Sequence, residues 1–465
     1  MTRAKPARLP EISHCGGPIP RRELLKLGAL AVGGLSLPEV LRAREASGNA
    51  SADTSVILLY MHGGPSQLET YDLKPDAPSG YRSIYRPIPT VVPGMDVCEH
   101  LPLHAKIADK FSLVRSLNHD VGIHSDGGIV VLTGKRPSKL DPTSQSKSEH
   151  PDIGHIVSRV RGLNADAIPP YVAIPQKPYM TLPTYLGSHH AAFETGEPSN
   201  PNYAPPQMSV VAGRDPRWID DRRTLLRQFD RLRADVDQNG TMGTGDRFRD
   251  LAFQMLTSTK VADAFDVRKE DPRVRERYGD NFFGQGCLLA RRLAEAGAGV
   301  INVYINTPKS GLDFTNWDDH ILNAGRPGHF GIYMTPRLAF YDQAVSALIE
   351  DIYARGIDRR VLVVAVGEFG RTPRISQNAS GAGRDHWPQA YTALVAGGGL
   401  RCGQTVGATN SKSEYPTEKP YTPQDLLAVM YRHLRIDPHQ PFNDFGGRPI
   451  AILQEGRPIP ELDFA

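Results

Sequence analysis

The chain reads as an α/β protein, a sandwich of helices around a mostly parallel central sheet, on three observations. Runs of β-branched and aliphatic residues recur at strand length, the clearest being Val-Leu-Val-Val-Ala-Val over 361–366. They alternate with helical stretches, which is the period of a doubly wound sheet. Polar residues fit for chemistry collect just beyond those runs, where open α/β sheets carry their sites.

Taken in order, 55–61 is an apolar strand that stops at His-Gly-Gly-Pro-Ser over 62–66. A Gly-Gly-Pro turn lets backbone approach a site closely. Residues 73–95 are Pro-rich and irregular; 101–109 suggest a helix and 111–117 a strand, which ends at Asn118, His119 and Asp120. His124, Ser125 and Asp126 then precede an apolar run closing in Leu-Thr-Gly over 132–134. A helix is expected over 152–160, a short strand over 171–175 and a loop-rich excursion over 181–214. Two charged amphipathic stretches, 222–236 and 246–265, read as helices with solvated outer faces. Further helices are expected over 281–296 and 333–354, and strands over 300–306 and 390–396. A last helix starts at Thr422-Pro423-Gln424-Asp425, with Pro at its first position and a carboxylate at its third.

Composition narrows the function. The 465 residues carry a formal charge of only +3 and no basic stripe, so nucleic acid is not an expected partner. With 40% hydrophobic residues the chain can bury a large core. Its cysteines are Cys15, Cys98, Cys287 and Cys402, without zinc-ribbon spacing, so no disulfide framework is indicated, though an isolated pair stays open. At the N-terminus Arg21-Arg22 precedes a weakly apolar stretch over 27–37, too short and Gly-rich to span a bilayer stably. This resembles a twin-arginine signal, so residues 1–46 are expected to engage that export machinery and to place the protein in the periplasm or cell envelope. A basic amphipathic helix of a cytosolic protein is the alternative. No later segment reads as a stable membrane span. One domain is expected over 52–455, with a loop-rich insertion near 181–245.

Four strand ends gather the candidate chemistry. They are His62 with Asp72 beyond it; His119, His124 and Ser125; Asp318, Asp319 and His320; and Glu368, Arg371, Asp385 and His386. A solitary His is more often a hydrogen-bonded structural residue, Asp318 with Asp319 could cap a helix, and Glu368 could simply pair with Arg371. Parallel topology, however, brings all four groups to one sheet edge. Imidazoles with carboxylates there suit one or two divalent cations. Arg371 offers a fork for an oxyanion. Ser125 is placed either to attack as a metal-activated nucleophile or to cap the helix that begins there.

The order of these motifs, from the leader through His-Gly-Gly-Pro-Ser, Leu-Thr-Gly, Trp-Asp-Asp-His and Glu-Phe-Gly-Arg-Thr to Gly-Arg-Asp-His-Trp-Pro, resembles the domain of unknown function 1501 family of exported bacterial proteins. That family is grouped with the alkaline phosphatase and sulfatase superfamily. The resemblance implies an alkaline-phosphatase-like three-layer sandwich and a divalent cation (zinc, calcium or manganese) serving phosphate- or sulfate-ester hydrolysis. The substrate class implied is an anionic small-molecule or saccharide ester. It implies His62, Asp318, His320, Glu368, Asp385 and His386 as metal residues, Ser125, His124 and Arg371 as catalytic, and His119 with Arg371 on the substrate. The match departs from the superfamily pattern in three places. His62 stands for its first metal Asp, Glu368-Phe369 for an Asp-His pair, and His124 for the modified Cys or Ser of sulfatases, so no formylglycine is expected. Those departures leave open a non-catalytic protein of the same fold that binds glycans or an envelope partner. A cytosolic mutase relative is a weaker reading, against which the leader argues.

Overall fold

A computed structural model describes residues 53–164, 166–203, 258–304, 316–323, 326–327, 330–378 and 381–463. Eight strands make its central sheet: β1 Ser55–Tyr60, β2 Phe111–Leu117, β3 Tyr171–Ile174, β4 Phe193–Glu194, β5 Val300–Tyr304, β6 Val361–Val366, β7 Tyr391–Gly397 and β8 Gln404–Val406. Their order across the sheet is β8-β2-β7-β6-β1-β5-β3-β4. Neighbours are parallel except at β7, which runs against both β6 and β2. The expected mostly parallel α/β sandwich is therefore what forms.

The middle strands explain themselves. All six residues of β1 and all six of β6 are buried, as befits strands covered on both faces. Ile57 and Leu59 face one apolar cluster, while Val56, Leu58 and Tyr60 face the other. The second cluster is roofed by α1 His124–Thr133, α2 Ile153–Arg161 and α5 Pro423–His433. The first is roofed by α3 Phe282–Glu295 and α4 Thr335–Ala354. Each Leu, Ile, Val or Phe so buried contributes about 1.5–3 kcal/mol, which makes packing the main source of helix stability here. Caps set where the helices begin. Asp152 accepts from the His155 amide at α2, Asn281 from the Gly284 amide at α3, and Thr422 with Asp425 closes a reciprocal box at α5.

Several expectations shift. The helix expected over 101–109 is one turn, Pro102–Lys106, followed by a 3-10 turn at Ala108–Lys110; the break falls at Ile107, whose φ of −119° is not helical. The last long strand runs antiparallel to both of its neighbours, after a connection over 367–390 that carries two small ladders of its own. Strands β4 and β8 escape sequence reading because two or three residues show no period. So does the helix Pro272–Tyr278, capped by Asp271. Of the helix expected over 246–265 the described part is Thr259–Phe265, while 222–236 lies outside the described residues, as do the leader and 204–257. Cys98, Cys287 and Cys402 are free thiols, so no pair forms among them. Among the described residues no helix is long and apolar enough to cross a membrane.

Candidate metal centre

Strands β1, β2, β5 and β6 share one direction, so the segments that follow them emerge at one edge of the sheet. The turn after β1 is shaped by glycine. Gly63 has φ +104°, and a Cβ there would stand 2.4 Å from the Asp318 amide nitrogen. Glycine thus lets 62–64 lie against the segment after β5, with the Trp317 amide donating to the His62 carbonyl at 2.8 Å. Helix α1 comes in equally close, since a Cβ on Gly128 would lie 2.7 Å from the Tyr60 hydroxyl. Beyond β6, Gly370–Arg371 pairs with His386–Trp387 as a two-stranded ladder that sets Arg371 opposite His386.

These segments bring together His62, His124, Asp318, His320, Glu368, Arg371 and His386. Two donor groups result: His124, Asp318, His320 and His386 in one, and His62, His124 and Glu368 in the other, each within 4.8 Å. In the first, one oxygen of Asp318 meets the Nε2 atoms of His320 at 2.9 Å, His386 at 3.2 Å and His124 at 3.3 Å. The Nε2 atoms of His320 and His386 stand only 3.0 Å apart. Donors around a tetrahedral cation with bonds of about 2.0–2.1 Å are about 3.3 Å apart, so this spacing fits one. In the second group Glu368 Oε1 lies 2.6 Å from His124 Nδ1 and 3.4 Å from His62 Nδ1. The Gly63 amide donates to the same oxygen at 2.8 Å. Glu368 Oε2 is buried without a hydrogen-bond partner among the described residues, an orphaned acceptor that a cation would satisfy.

Outer contacts aim the rings. Asp385 holds His320 Nδ1 at 2.7 Å, and the Gly122 carbonyl accepts from His386 Nδ1 at 2.8 Å, turning both Nε2 atoms inward. Charge is unevenly tolerated. Burial pushes the imidazoles of His62 and His386 down. Burial also works against charge on His124, but hydrogen bonds to Asp318 and Glu368 prevail and raise it to about 9. Glu368, which burial alone would raise, is instead pulled down to about 2 by His62 and His124. Asp318 likewise overcomes its burial and sits far below the usual carboxylate range, through Arg371 first and the three imidazoles after it.

Other candidates sit elsewhere. Arg371 is buried and pairs with Asp318 at 2.6 Å rather than with Glu368, so no Glu368–Arg371 ion pair forms. Its guanidinium also donates to the carbonyls of Gly63, Gly64 and Arg384. The Ser125 hydroxyl is buried and donates to Asp126 at 2.7 Å, within a knot that includes Ser146 on the same carboxylate. Nor does Ser125 cap α1, whose N-cap position is Ile123. His119 clasps the Glu368 carbonyl at 2.6 Å. Asp385 lies on the outer side of His320, 59% exposed, and is not part of either donor group. Asp72 is taken by Thr409, Ser413 and Lys74. Asp319 caps no helix and instead makes a buried pair with Arg337 at 2.8 Å.

Two supports were not anticipated. Arg384 is fully buried on Glu69, at 2.9 and 3.0 Å, which fixes the start of the Asp385–His386 stretch. Gln67 bonds both the amide and the carbonyl of Arg371. Arg384 stands inside the Gly-Arg-Asp-His motif, a signal that was visible; Gln67 carries none.

The family model described as "Protein of unknown function (DUF1501)" matches residues 53–462, and the chain belongs to that family. No curated protein matches it. Among solved structures, the lipoteichoic acid synthase LtaP from Listeria monocytogenes is similar at 10% identity and TM-score 0.35, over 88% of this chain and 76% of that one. The PsFucS1 sulfatase from Pseudoalteromonas sp. is 12% identical at TM-score 0.38, over 92% and 74%. The phosphonate monoester hydrolase SpPMH from Silicibacter pomeroyi is 12% identical at TM-score 0.35, over 88% and 75%.

Proposed function

We propose that this member of the DUF1501 family is a metal-dependent hydrolase of phosphate or sulfate esters that acts outside the cytoplasm. One observation carries the reading: three imidazole nitrogens converge on a single oxygen of Asp318 at hydrogen-bonding distance, an arrangement built for a cation. Asp318, His320, His386 and His124 would hold it. Three imidazoles and one carboxylate favour zinc, or manganese after it, over calcium, which wants six to eight oxygens. The cation would supply positive charge to an anionic ester, such as a sulfated or phosphorylated saccharide.

The chain's own residues do the rest. Arg371 braces Asp318 and the 62–64 turn, so its contribution is to position the acceptor oxygen rather than to grip the substrate. Asp385 and Gly122 hold His320 and His386 in the tautomer that presents Nε2. His119 fixes the backbone at Glu368. Ser125 has to leave Asp126 before its hydroxyl can attack, so water is the nucleophile this geometry favours. The twin arginines, Arg21 and Arg22, are assigned to export of the folded, loaded protein, and replacing both with Lys should leave it in the cytoplasm.

A second reading, a non-catalytic binder of glycans or an envelope partner, draws on the committed state of Arg371 and Ser125, neither of which is free to serve an ester. Protein purified without chelator decides between them. Stoichiometric metal with turnover on a panel of phosphate and sulfate esters supports the hydrolase. Stoichiometric metal with no turnover supports the binder, and no metal ends both assignments for this cluster.

A further inference from the structure

His124 belongs to both donor groups, and through different atoms. Its Nε2 stands 3.3 Å from Asp318 Oδ1, on the side of His320 and His386. Its Nδ1 stands 2.6 Å from Glu368 Oε1, on the side of His62. The ring is thus sandwiched between two carboxylates, each of which has further nitrogen donors of its own. Nothing about a structural histidine requires this. His104, elsewhere in the core, uses one nitrogen on Asp342 at 2.6 Å and packs its other side among Tyr71, Phe111 and Tyr341.

The geometry points to a second cation position, and we propose that the His124 imidazole bridges two cations, one on each nitrogen. This rests on the reading that the cluster holds metal, not on the ester chemistry assigned to it. The first position has four donors: His124 Nε2, Asp318, His320 and His386. The second has three, His124 Nδ1, His62 and Glu368, and two features prepare it. Glu368 Oε2 is an unpartnered acceptor, fully buried, while Oε1 is already held by the Gly63 amide. His62 is fixed by ring contacts with Tyr304 and Tyr179, and its Nδ1, like Oε2, has no hydrogen-bond partner among the described residues. Two imidazoles and one carboxylate suit a first-row transition dication and leave coordination positions open. A ring bound through both nitrogens carries no N–H, so full loading takes the last ring proton from His124 into solvent.

The bridge also orders the two positions. The four-donor set fills first, and it fixes the ring that completes the three-donor set. Loss of the ring therefore removes the second position outright and weakens the first.

Metal-free full-length protein titrated with zinc, and separately with copper(II), tests this. Wild type should take up about two cations per chain, and Glu368→Gln about one. His124→Ala and His124→Gln should each bind about one, more weakly than the first site of wild type. With copper, the electron spin signal of fully loaded wild type should fall well below that of two isolated ions, because the ring couples them, whereas the Glu368→Gln signal should match one isolated ion. A wild-type stoichiometry of about one overturns the proposal, as does a His124→Ala variant that keeps two sites, or an uncoupled two-copper signal. A protein that loads two coupled cations yet turns over no ester leaves the bridge standing and removes only the hydrolase reading.

Discussion

Two buried ionic regions of this molecule use much the same kinds of side chain to opposite ends. Against α3 and α4, Arg291 meets Glu270, Glu295 and Asp351, Arg292 shares Glu270, and Arg355 reaches all three carboxylates. Three guanidiniums answer three carboxylates, and every strong contact joins a donor to an acceptor. At the sheet edge, by contrast, donors crowd together: the His320 and His386 Nε2 atoms stand 3.0 Å apart, and three imidazoles share one oxygen of Asp318. The first region is complete as it stands, whereas the second leaves nitrogens crowded around shared oxygens, the spacing that the proposed cation would use. Matching charges lock helices together; mismatched donors make a receptor.

The sharpest test is to remove one member of each. Arg291→Met should cost about 1–3 kcal/mol in denaturant unfolding, because Glu270, Glu295 and Asp351 each lose one buried partner and keep Arg355 and, for Glu270, Arg292, while metal content stays at the wild-type level. A parallel loss of metal would show that the two regions are not separate. Asp318→Ala should do the reverse. It should weaken the four-donor position and cut the ligand-linked stability that position supplies, about 2.7 kcal/mol when free metal is a hundredfold above its dissociation constant. Elemental analysis and thermal unfolding with and without metal check this, and an Asp318→Ala protein that gains as much stability from metal as wild type would break the comparison.

Acid and alkali should separate the regions in metal-free protein. Burial opposes the charge on Glu270, but hydrogen bonds from Arg291 and Arg292 prevail and depress it, so its contribution is present above the unfolded carboxylate range and lost as pH falls. His124 is raised to about 9 from 6.5, so its contribution is full below 6.5 and is lost as pH climbs through about 9. That alkaline limb should be on the order of 3 kcal/mol. It should vanish in His124→Ala and be unaffected by Arg291→Met; urea midpoints across the pH range measure it.

The smallest effect belongs to Ser125. Ser125→Ala removes one buried hydrogen bond to Asp126, for about 1 kcal/mol of stability. Turnover of any ester the wild type cleaves should persist, and loss of turnover in a folded variant would restore Ser125 as the nucleophile.

The comparison also shows what sequence can reveal. Strands β1 and β6 are unbroken apolar runs, so their positions and the edge they define were readable, and the ligand candidates at that edge followed from adjacency to them. The roles of individual side chains were not readable. Arg371 three residues after Glu368 suggested a local pair, yet the ladder with His386 turns it to Asp318 across 53 residues. Asp385 beside His386 looked like a ligand, yet it precedes the His386–Trp387 ladder and meets His320 at Nδ1, the nitrogen turned away from the cluster. Ser125 beside His124 was a choice between neighbours, which one helical step of about 100° resolves in favour of His124 facing the cluster. Such outcomes depend on which way a side chain points, and one sequence does not record that.

The Gly63 amide and the Glu368 carboxylate that it holds are 305 residues apart in the chain. Such contacts carry a high loop-closure cost and form after local structure is in place. A chain that has paired β1 with β6 but not yet docked α1 has no complete donor set. On the proposed metal reading, uptake would therefore report finished folding: a chain without α1 docked would stay empty, and occupancy would mark the molecules in which segments 305 residues apart have met.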